Sequence, residues 1–227
     1  MNSDMNLYVV IVAGGTGKRM GTDIPKQFLE LAGKPVLMRT IERFRKFNSS
    51  IEIITVLPEN QLRYWYDLQK KYSFDIPHTL VKGGSHRFIS VRHGLEFVSE
   101  NGLVAIHDGV RPLVSIETIS RCFEAAALYG NAIPVISVND SVRLVKDDKT
   151  EPVNRNYVKQ VQTPQVFDAG LIKNAYKQNY DPSFFDDATV LEKTGEKIHI
   201  VEGNRENIKI TNPEDIFIAQ ALLPFVI

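Results

Sequence analysis

The 227 residues carry 27 Lys and Arg against 27 Asp and Glu, so the net charge is zero and no overall basic field marks a nucleic-acid partner. Hydrophobic residues at 43% and charged residues at 24% can fill a sizeable core, which suits one domain over 1–227. One cysteine, Cys122, excludes an intrachain disulfide; with no basic leader and no apolar run near the ~18 residues of a spanning helix, the expectation is a cytoplasmic protein without a membrane partner.

In chain order, LYVVIVA at 7–13 is continuously apolar and β-branched, the pattern of a strand buried on both faces. Residues 36–47 place Val36, Leu37, Thr40, Ile41, Phe44 and Phe47 on one helical stripe. A strand at 51–58 stops at Pro58, a helix follows at 60–72, and a short strand at 76–81 runs into KGGSHR. Helix 88–99, strand 103–107, helix 115–129 and strand 132–138 continue the alternation, which predicts a mostly parallel, three-layer α/β sheet. The rhythm breaks at 139–167. Two short β-like pieces around a polar turn at 147–151 are too small for a core of their own and read as a projecting β-arm, whose apolar side a second subunit would cover. Helices at 168–177 and 187–194, strands at 197–202 and 208–210, and a last helix from Pro213, capped by Thr211 or Asn212, complete the pattern.

The first strand runs into AGGTGKRMGTDIPKQF. A P-loop needs Gly-x-x-x-x-Gly-Lys before Ser or Thr, but Gly14 to Gly17 is too short and Arg19 follows Lys18. The dinucleotide fingerprint fails at Met20, with Gly21 one residue late. The physics beneath both motifs remains. Gly14, Gly15 and Gly17 allow close backbone approach and an inward-facing row of N–H groups, and Lys18, Arg19 and Lys26 add charge. The alternative is a tight turn with solvent-facing lysines. KGGSHRFIS repeats the recipe through Gly83, Gly84, Ser85, Arg87 and Ser90, or makes a turn with a helix cap.

AIHDGVRP puts Asp108 and Arg111 just past a buried strand. There Asp108 is either a carboxylate suited to Mg²⁺ or a helix cap, and His107 reads as a packing residue. His78, His86, His93, His107 and His199 lack zinc-ligand spacing, and no G-x-S-x-G elbow offers a serine nucleophile. Arg155, Lys159, Thr163, Arg205 and Lys209 add dispersed basic and hydroxyl groups, each ordinary as surface but together suited to more than one phosphate.

Through AGGTGKRM with PKQF, GGSHRFISV, HDGVRP, QTPQVF and EGNRENIKIT, the chain resembles the sugar-phosphate cytidylyltransferase family over nearly its whole length. The resemblance implies a three-layer αβα nucleotide-diphospho-sugar transferase fold, with a mostly parallel twisted sheet. It also implies a β-arm at about 139–160 exchanged between the subunits of a homodimer. CTP is expected over Ala13, Gly14, Gly15, Thr16, Gly17 and Lys18, with Gly83, Gly84, Arg87 and Ser90 at its cytosine end. Arg19 and Lys26 match the family's catalytic basic pair, and Lys209 a lysine of the substrate and phosphate region. Asp108 matches its Mg²⁺-associated aspartate and Arg111 the arginine beside it. Arg155, reaching across the dimer, and Thr163 match residues that hold the acceptor's phosphate. Asp186 matches an aspartate of the family, with Asp187 where Glu is usual. The implied reaction is cytidylyl transfer from CTP to a polyol phosphate with release of pyrophosphate. The expected acceptor is 2-C-methyl-D-erythritol 4-phosphate of non-mevalonate isoprenoid synthesis. Ribitol 5-phosphate of teichoic-acid synthesis is the alternative, and a non-catalytic nucleotide-binding protein the alternative of another class.

Overall fold

The computed structural model describes residues 5–15 and 24–226. Strand β1 (Leu7–Val12) is the centre of the molecule, and its alternation explains why. Val9 and Ile11 point into one apolar core, while Tyr8, Val10 and Val12 point into another, so the strand is covered on both faces. A short hairpin, β2 (Glu30–Leu31) and β3 (Lys34–Pro35), leads into helix α1 (Val36–Phe47), whose bounds are those the apolar stripe predicts. Then come β4 (Glu52–Leu57), α2 (Glu59–Lys71), β5 (Thr79–Lys82), α3 (Arg87–Leu95) and β6 (Leu103–Asp108). Helix α4 (Ile116–Tyr129) starts on Ser115, whose hydroxyl accepts the Thr118 N–H at 3.0 Å, and ends at Gly130 with φ 83°.

Strand β7 (Asn131–Ser137) precedes the predicted arm, a separate two-stranded hairpin of β8 (Val142–Lys146) and β9 (Lys149–Val153). The hairpin is narrower than the expected 139–160, and its turn is tighter than 147–151. Residues 159–161 already belong to the main sheet as β10 (Lys159–Val161), antiparallel to β7. Strand β11 (Gln165–Asp168), unforeseen, inserts antiparallel between β6 and β7. Helices α5 (Ala169–Ala175) and α6 (Asp187–Glu192), strand β12 (Ile200–Glu202) and helix α7 (Glu214–Leu222) follow. No strand forms at 208–210. Ile210 donates one backbone hydrogen bond to Val110 at 2.9 Å and packs into a satellite core with Leu31, Val36 and Ala219. The start of α7 is also held otherwise than predicted. Asp215 reaches back to the Thr211 and Asn212 N–H groups at 2.7 and 2.8 Å.

The eight-stranded sheet runs β10-β7-β11-β6-β1-β4-β5, with β12 also on β7. Strands β6, β1, β4 and β5 are mutually parallel. Helices α1, α2 and α4 cover one face, and α3, α5 and α6 the other, giving the expected mostly parallel α/β sandwich of a nucleotide-diphospho-sugar transferase. Cys122 is buried in the first core, where desolvation raises its thiol pKa to about 12, so packing accounts for it. Among the described residues, no helix is long and apolar enough to cross a membrane.

Candidate active site

Four parallel strands end on one side of the sheet, and the chain leaving each of them lines a cleft of about 290 Å³. Ala13, Gly14 and Gly15 come from β1, Pro58 from β4, Gly83 and Gly84 from β5, and Asp108 ends β6. Lys26, Arg87, Ser90 and Lys209 complete the cation-rich lining. The glycines, Lys26, Arg87, Ser90, Asp108 and Lys209 of this wall are among the residues the sequence singles out, whereas Gln27, Pro58 and His86 are not. Thr16, Gly17, Lys18 and Arg19 lie outside the described residues.

Close packing explains two of the glycines. A Cβ on Gly109 would stand 2.7 Å from the Ala13 Cβ, so the exit of β6 lies directly against the exit of β1. A Cβ on Gly83 would meet Ser90 Oγ at 3.1 Å and the Leu57 carbonyl oxygen at 3.4 Å. The Ser90 hydroxyl works within this loop. It accepts the Gly84 N–H and donates to the His86 carbonyl, each at 3.1 Å. Behind the first loop, buried Gln27 donates to the Ala13 carbonyl at 2.9 Å and to Gln61 Oε1 at 2.5 Å. Lys26 is thus carried on a stretch tied to the end of β1.

Beside this cleft lies a second, of about 370 Å³, lined by Arg111, Gln162, Thr163, Gln165, Phe185 and Asp186 among others. Arg87, Asp108 and Lys209 line both and form the shared wall. Asp108 is the hub of that wall, with Lys209 Nζ at 3.0 Å, Arg111 Nε at 3.2 Å and Arg87 Nε at 3.9 Å from its carboxylate. Burial pushes the Asp108 pKa up, but the three cations outweigh it and hold the group far below the usual carboxylate range.

Arg87 is itself anchored by Asp187. Its two terminal nitrogens bond the two Asp187 oxygens at 2.7 and 2.6 Å, and the Tyr176 hydroxyl donates to Asp187 at 2.5 Å. Burial alone would lower the Arg87 pKa; Asp187 and then Asp108 reverse this and raise it well above its ordinary value. Desolvation beside Asp187 likewise drives the Tyr176 hydroxyl strongly upward.

Asp186 caps α6 by accepting the Thr189 N–H and hydroxyl at 2.9 and 2.6 Å, and its other oxygen accepts from Gln165 at 2.8 Å. Arg155 lines neither cleft; it lies beyond the hairpin and donates to the Asn139 carbonyl.

Sequence reasoning missed the supports. Asp187 is hidden beside Asp186, although a second carboxylate in the first turn of an apolar helix was the available signal. Asn207 is fully buried; its side-chain amide donates to the Thr163 carbonyl at 2.8 Å, and its backbone carbonyl accepts from Arg111 at 2.7 Å. Gln162 donates to the Asn204 carbonyl at 2.9 Å. These amides stitch the 203–209 loop, and so Lys209, to the wall.

Asp108 is the carboxylate at the wall of the nucleotide cleft, and it serves three cationic side chains. Among the described residues no group of three His, Cys, Asp or Glu side chains forms a closed metal site, so a Mg²⁺ ion would be held by one carboxylate together with phosphate oxygens.

The family described as “IspD: 2-C-methyl-D-erythritol 4-phosphate cytidylyltransferase” has a sequence model that matches residues 7–224. The 2-C-methyl-D-erythritol 4-phosphate cytidylyltransferase of Phocaeicola vulgatus is 54% identical over 219 residues, 96% of this chain and 100% of the relative. That of Bacteroides fragilis is 53% identical over 214 residues, 94% of this chain and 98% of the relative. Among solved structures, 4-diphosphocytidyl-2C-methyl-D-erythritol synthase from Anaerococcus prevotii gives a TM-score of 0.82 at 31% identity, covering 97% of this chain and 96% of that one.

Proposed function

This chain belongs to the 2-C-methyl-D-erythritol 4-phosphate cytidylyltransferase family, and from that premise we propose how its two clefts divide the work of the reaction. The enzyme transfers the cytidylyl group of CTP to 2-C-methyl-D-erythritol 4-phosphate, releasing pyrophosphate, in the non-mevalonate pathway. CTP occupies the first cleft, with its triphosphate along Ala13–Gly15 and its cytosine end toward Gly83, Gly84, Arg87 and Ser90. The acceptor occupies the second, with its phosphate toward Arg111 and Lys209. The observation that carries this reading is the shared wall of Arg87, Asp108 and Lys209, which sets two anion-accepting clefts back to back.

The attacking group is a phosphate oxygen. A phosphate monoester has its second pKa near 6, so at neutral pH it is already largely a dianion and needs no general base. The barrier is the repulsion between that dianion and the triphosphate. Arg19, Lys26 and Lys209 lower it by meeting charge that builds on the α-phosphate and on the leaving pyrophosphate. Asp108 holds Lys209, Arg111 and Arg87 at fixed distances from one another, so little reorganisation is left for the moment of reaction. Mg²⁺ is expected with CTP at the level of the family and supplies neutralisation of phosphate charge. Asp108 is the carboxylate that would hold it, beside the oxygens of the triphosphate.

The hairpin is placed by the same reading against a second copy of the chain. Leu144 and Val145 on it and Tyr157 beyond it are 59%, 66% and 87% exposed, more apolar surface than one chain covers. Arg155 then reaches the acceptor's phosphate across the dimer. A monomer mass by light scattering at assay concentration would overturn this arrangement.

Pyrophosphate release with CTP, Mg²⁺ and each polyol phosphate tests the reaction. The expected result is release with 2-C-methyl-D-erythritol 4-phosphate well above that with ribitol 5-phosphate. Release with neither acceptor would leave only nucleotide binding, and preference for ribitol 5-phosphate would reverse the acceptor.

A further inference from the structure

Lys26 stands on a single 3₁₀ turn, Lys26–Phe28, and the residue that fixes this turn is its neighbour Gln27. The turn closes by the Phe28 N–H on the Pro25 carbonyl at 2.8 Å, and Phe28 packs against Tyr64 and Trp65 of α2, with ring centroids 5.2 and 6.0 Å away. Apolar packing is non-directional, so it leaves the exact setting of the turn to polar contacts. Gln27 supplies them. It is fully buried, and both hydrogens of its amide are spent, one on the Ala13 carbonyl at 2.9 Å and one on Gln61 Oε1 at 2.5 Å. Gln61 is in turn tied by its N–H to the Pro58 carbonyl at 2.9 Å. One amide therefore joins Lys26 to the chain leaving β1 and to the chain leaving β4, two of the edges that line the first cleft.

Two observations give this joint a role beyond packing. The Ala13 carbonyl and the Gly14 N–H belong to one trans peptide and point opposite ways. Holding the carbonyl on Gln27 therefore turns the Gly14 N–H away from Gln27, at a residue that is exposed and has open space where a Cβ would stand. Lys26 runs along the same loop, its Cε 3.1 Å from the Cβ position of Gly15. The second observation is a cost. Gln27 Oε1 is buried and meets no donor among the described residues. An unmet buried acceptor is destabilising, and an unbranched apolar side chain would fill the same volume without one. What the amide contributes is the direction of its two hydrogens. We propose that Gln27 is a positioning residue for the transfer, which sets the Lys26 ammonium and the glycine-loop amide at one fixed spacing along the triphosphate without touching it.

The inference rests on the assignment of the first cleft to the triphosphate and of Lys26 to the chemistry, and its test keeps these apart. Gln27→Met keeps length and burial but gives no hydrogen to Ala13 or Gln61. Steady-state kinetics, run well below each variant's unfolding temperature, is expected to show kcat of Gln27→Met lower by roughly 10- to 100-fold, because small misplacements of charged groups cost that much. The KM for CTP should stay within about threefold. In a Lys26→Ala background the same change should cost less than about threefold further, since a joint that acts through Lys26 then has little left to place. Should Gln27→Met not fold, Gln61→Met, which removes one of the two acceptors and loosens the amide, is expected to lower kcat by roughly 3- to 10-fold at similar KM. A folded Gln27→Met protein with wild-type kcat would overturn the proposal, as would wild-type kcat in Gln61→Met if only that variant folds. Equal losses in the two backgrounds would overturn it too, by making Gln27 independent of Lys26. So would a KM for CTP raised roughly tenfold or more with kcat kept, which would make Gln27 a residue of nucleotide binding alone. Wild-type turnover by Lys26→Ala by itself would instead remove the role of Lys26, and the proposal with it, whatever Gln27→Met does.

Discussion

Replacing Lys26 by alanine is expected to lower kcat by roughly 10²- to 10³-fold, the usual cost of removing one preorganised charge-stabilising group. Stability should change little. Lys26 is half-buried at the mouth of the cleft, and its Cε lies 3.1 Å from where a Cβ on Gly15 would stand, so its chain lies along the first glycine loop. Truncating such a side chain typically costs about 0.5 kcal/mol or less, a shift of about 2 °C in Tm for a chain of this size. The split between the two readouts identifies the role, because a residue that merely shapes the loop would move both. Pyrophosphate release measured at saturating CTP and acceptor, beside a thermal melt, checks it. Turnover within threefold of wild type would remove Lys26 from the chemistry.

Asp187→Ala is expected to do the opposite and cost stability first. Asp187 is wholly buried, and its carboxylate holds both terminal nitrogens of Arg87 and the Tyr176 hydroxyl. Removing one partner of a buried pair costs about 3–5 kcal/mol, mostly because the other charge is stranded. Here Arg87 keeps 33% of its side chain in the cleft, where water re-solvates part of the guanidinium, so the lower end of that range applies. About 3 kcal/mol corresponds to a fall in Tm of roughly 6–12 °C. Activity should fall too, since Arg87 then swings free of the wall it shares with Asp108. A melt within about 1 °C of wild type would mean that the pair contributes nothing net.

These two residues also show what kind of feature is legible in a sequence. Lys26 is found because it stands in a dense local pattern, with three glycines and a proline punctuating a basic stretch after a buried strand. Asp187 escapes because its partner, Arg87, is 100 residues away and its neighbour Asp186 has an acid of the same type at an obvious helix cap. The same division holds for the elements. Helix α1 and strands β1, β4 and β6 lie within a residue or so of where pattern places them, because each buries a continuous apolar stripe or run. Strand β11 was missed. Its four residues include buried Gln165, which donates to Asp186 and accepts the Ala188 N–H at 2.9 Å, so the strand carries no clean alternation to read. The supposed strand at 208–210 has the right apolar residues but no neighbour to ladder with beyond Val110.

By itself the sequence determined the layers of the sheet, the glycine-lined edge, the cationic character of the site and the family to which the chain belongs. Each depends on local composition and spacing, which survive without a fold. Tertiary structure alone decided that Asp108 meets three cations and that Asp187 and Asn207 support the wall. Those outcomes depend on which donors meet which acceptors across 50 to 100 residues of chain. Only the assembled neighbours show which charged and amide groups those are.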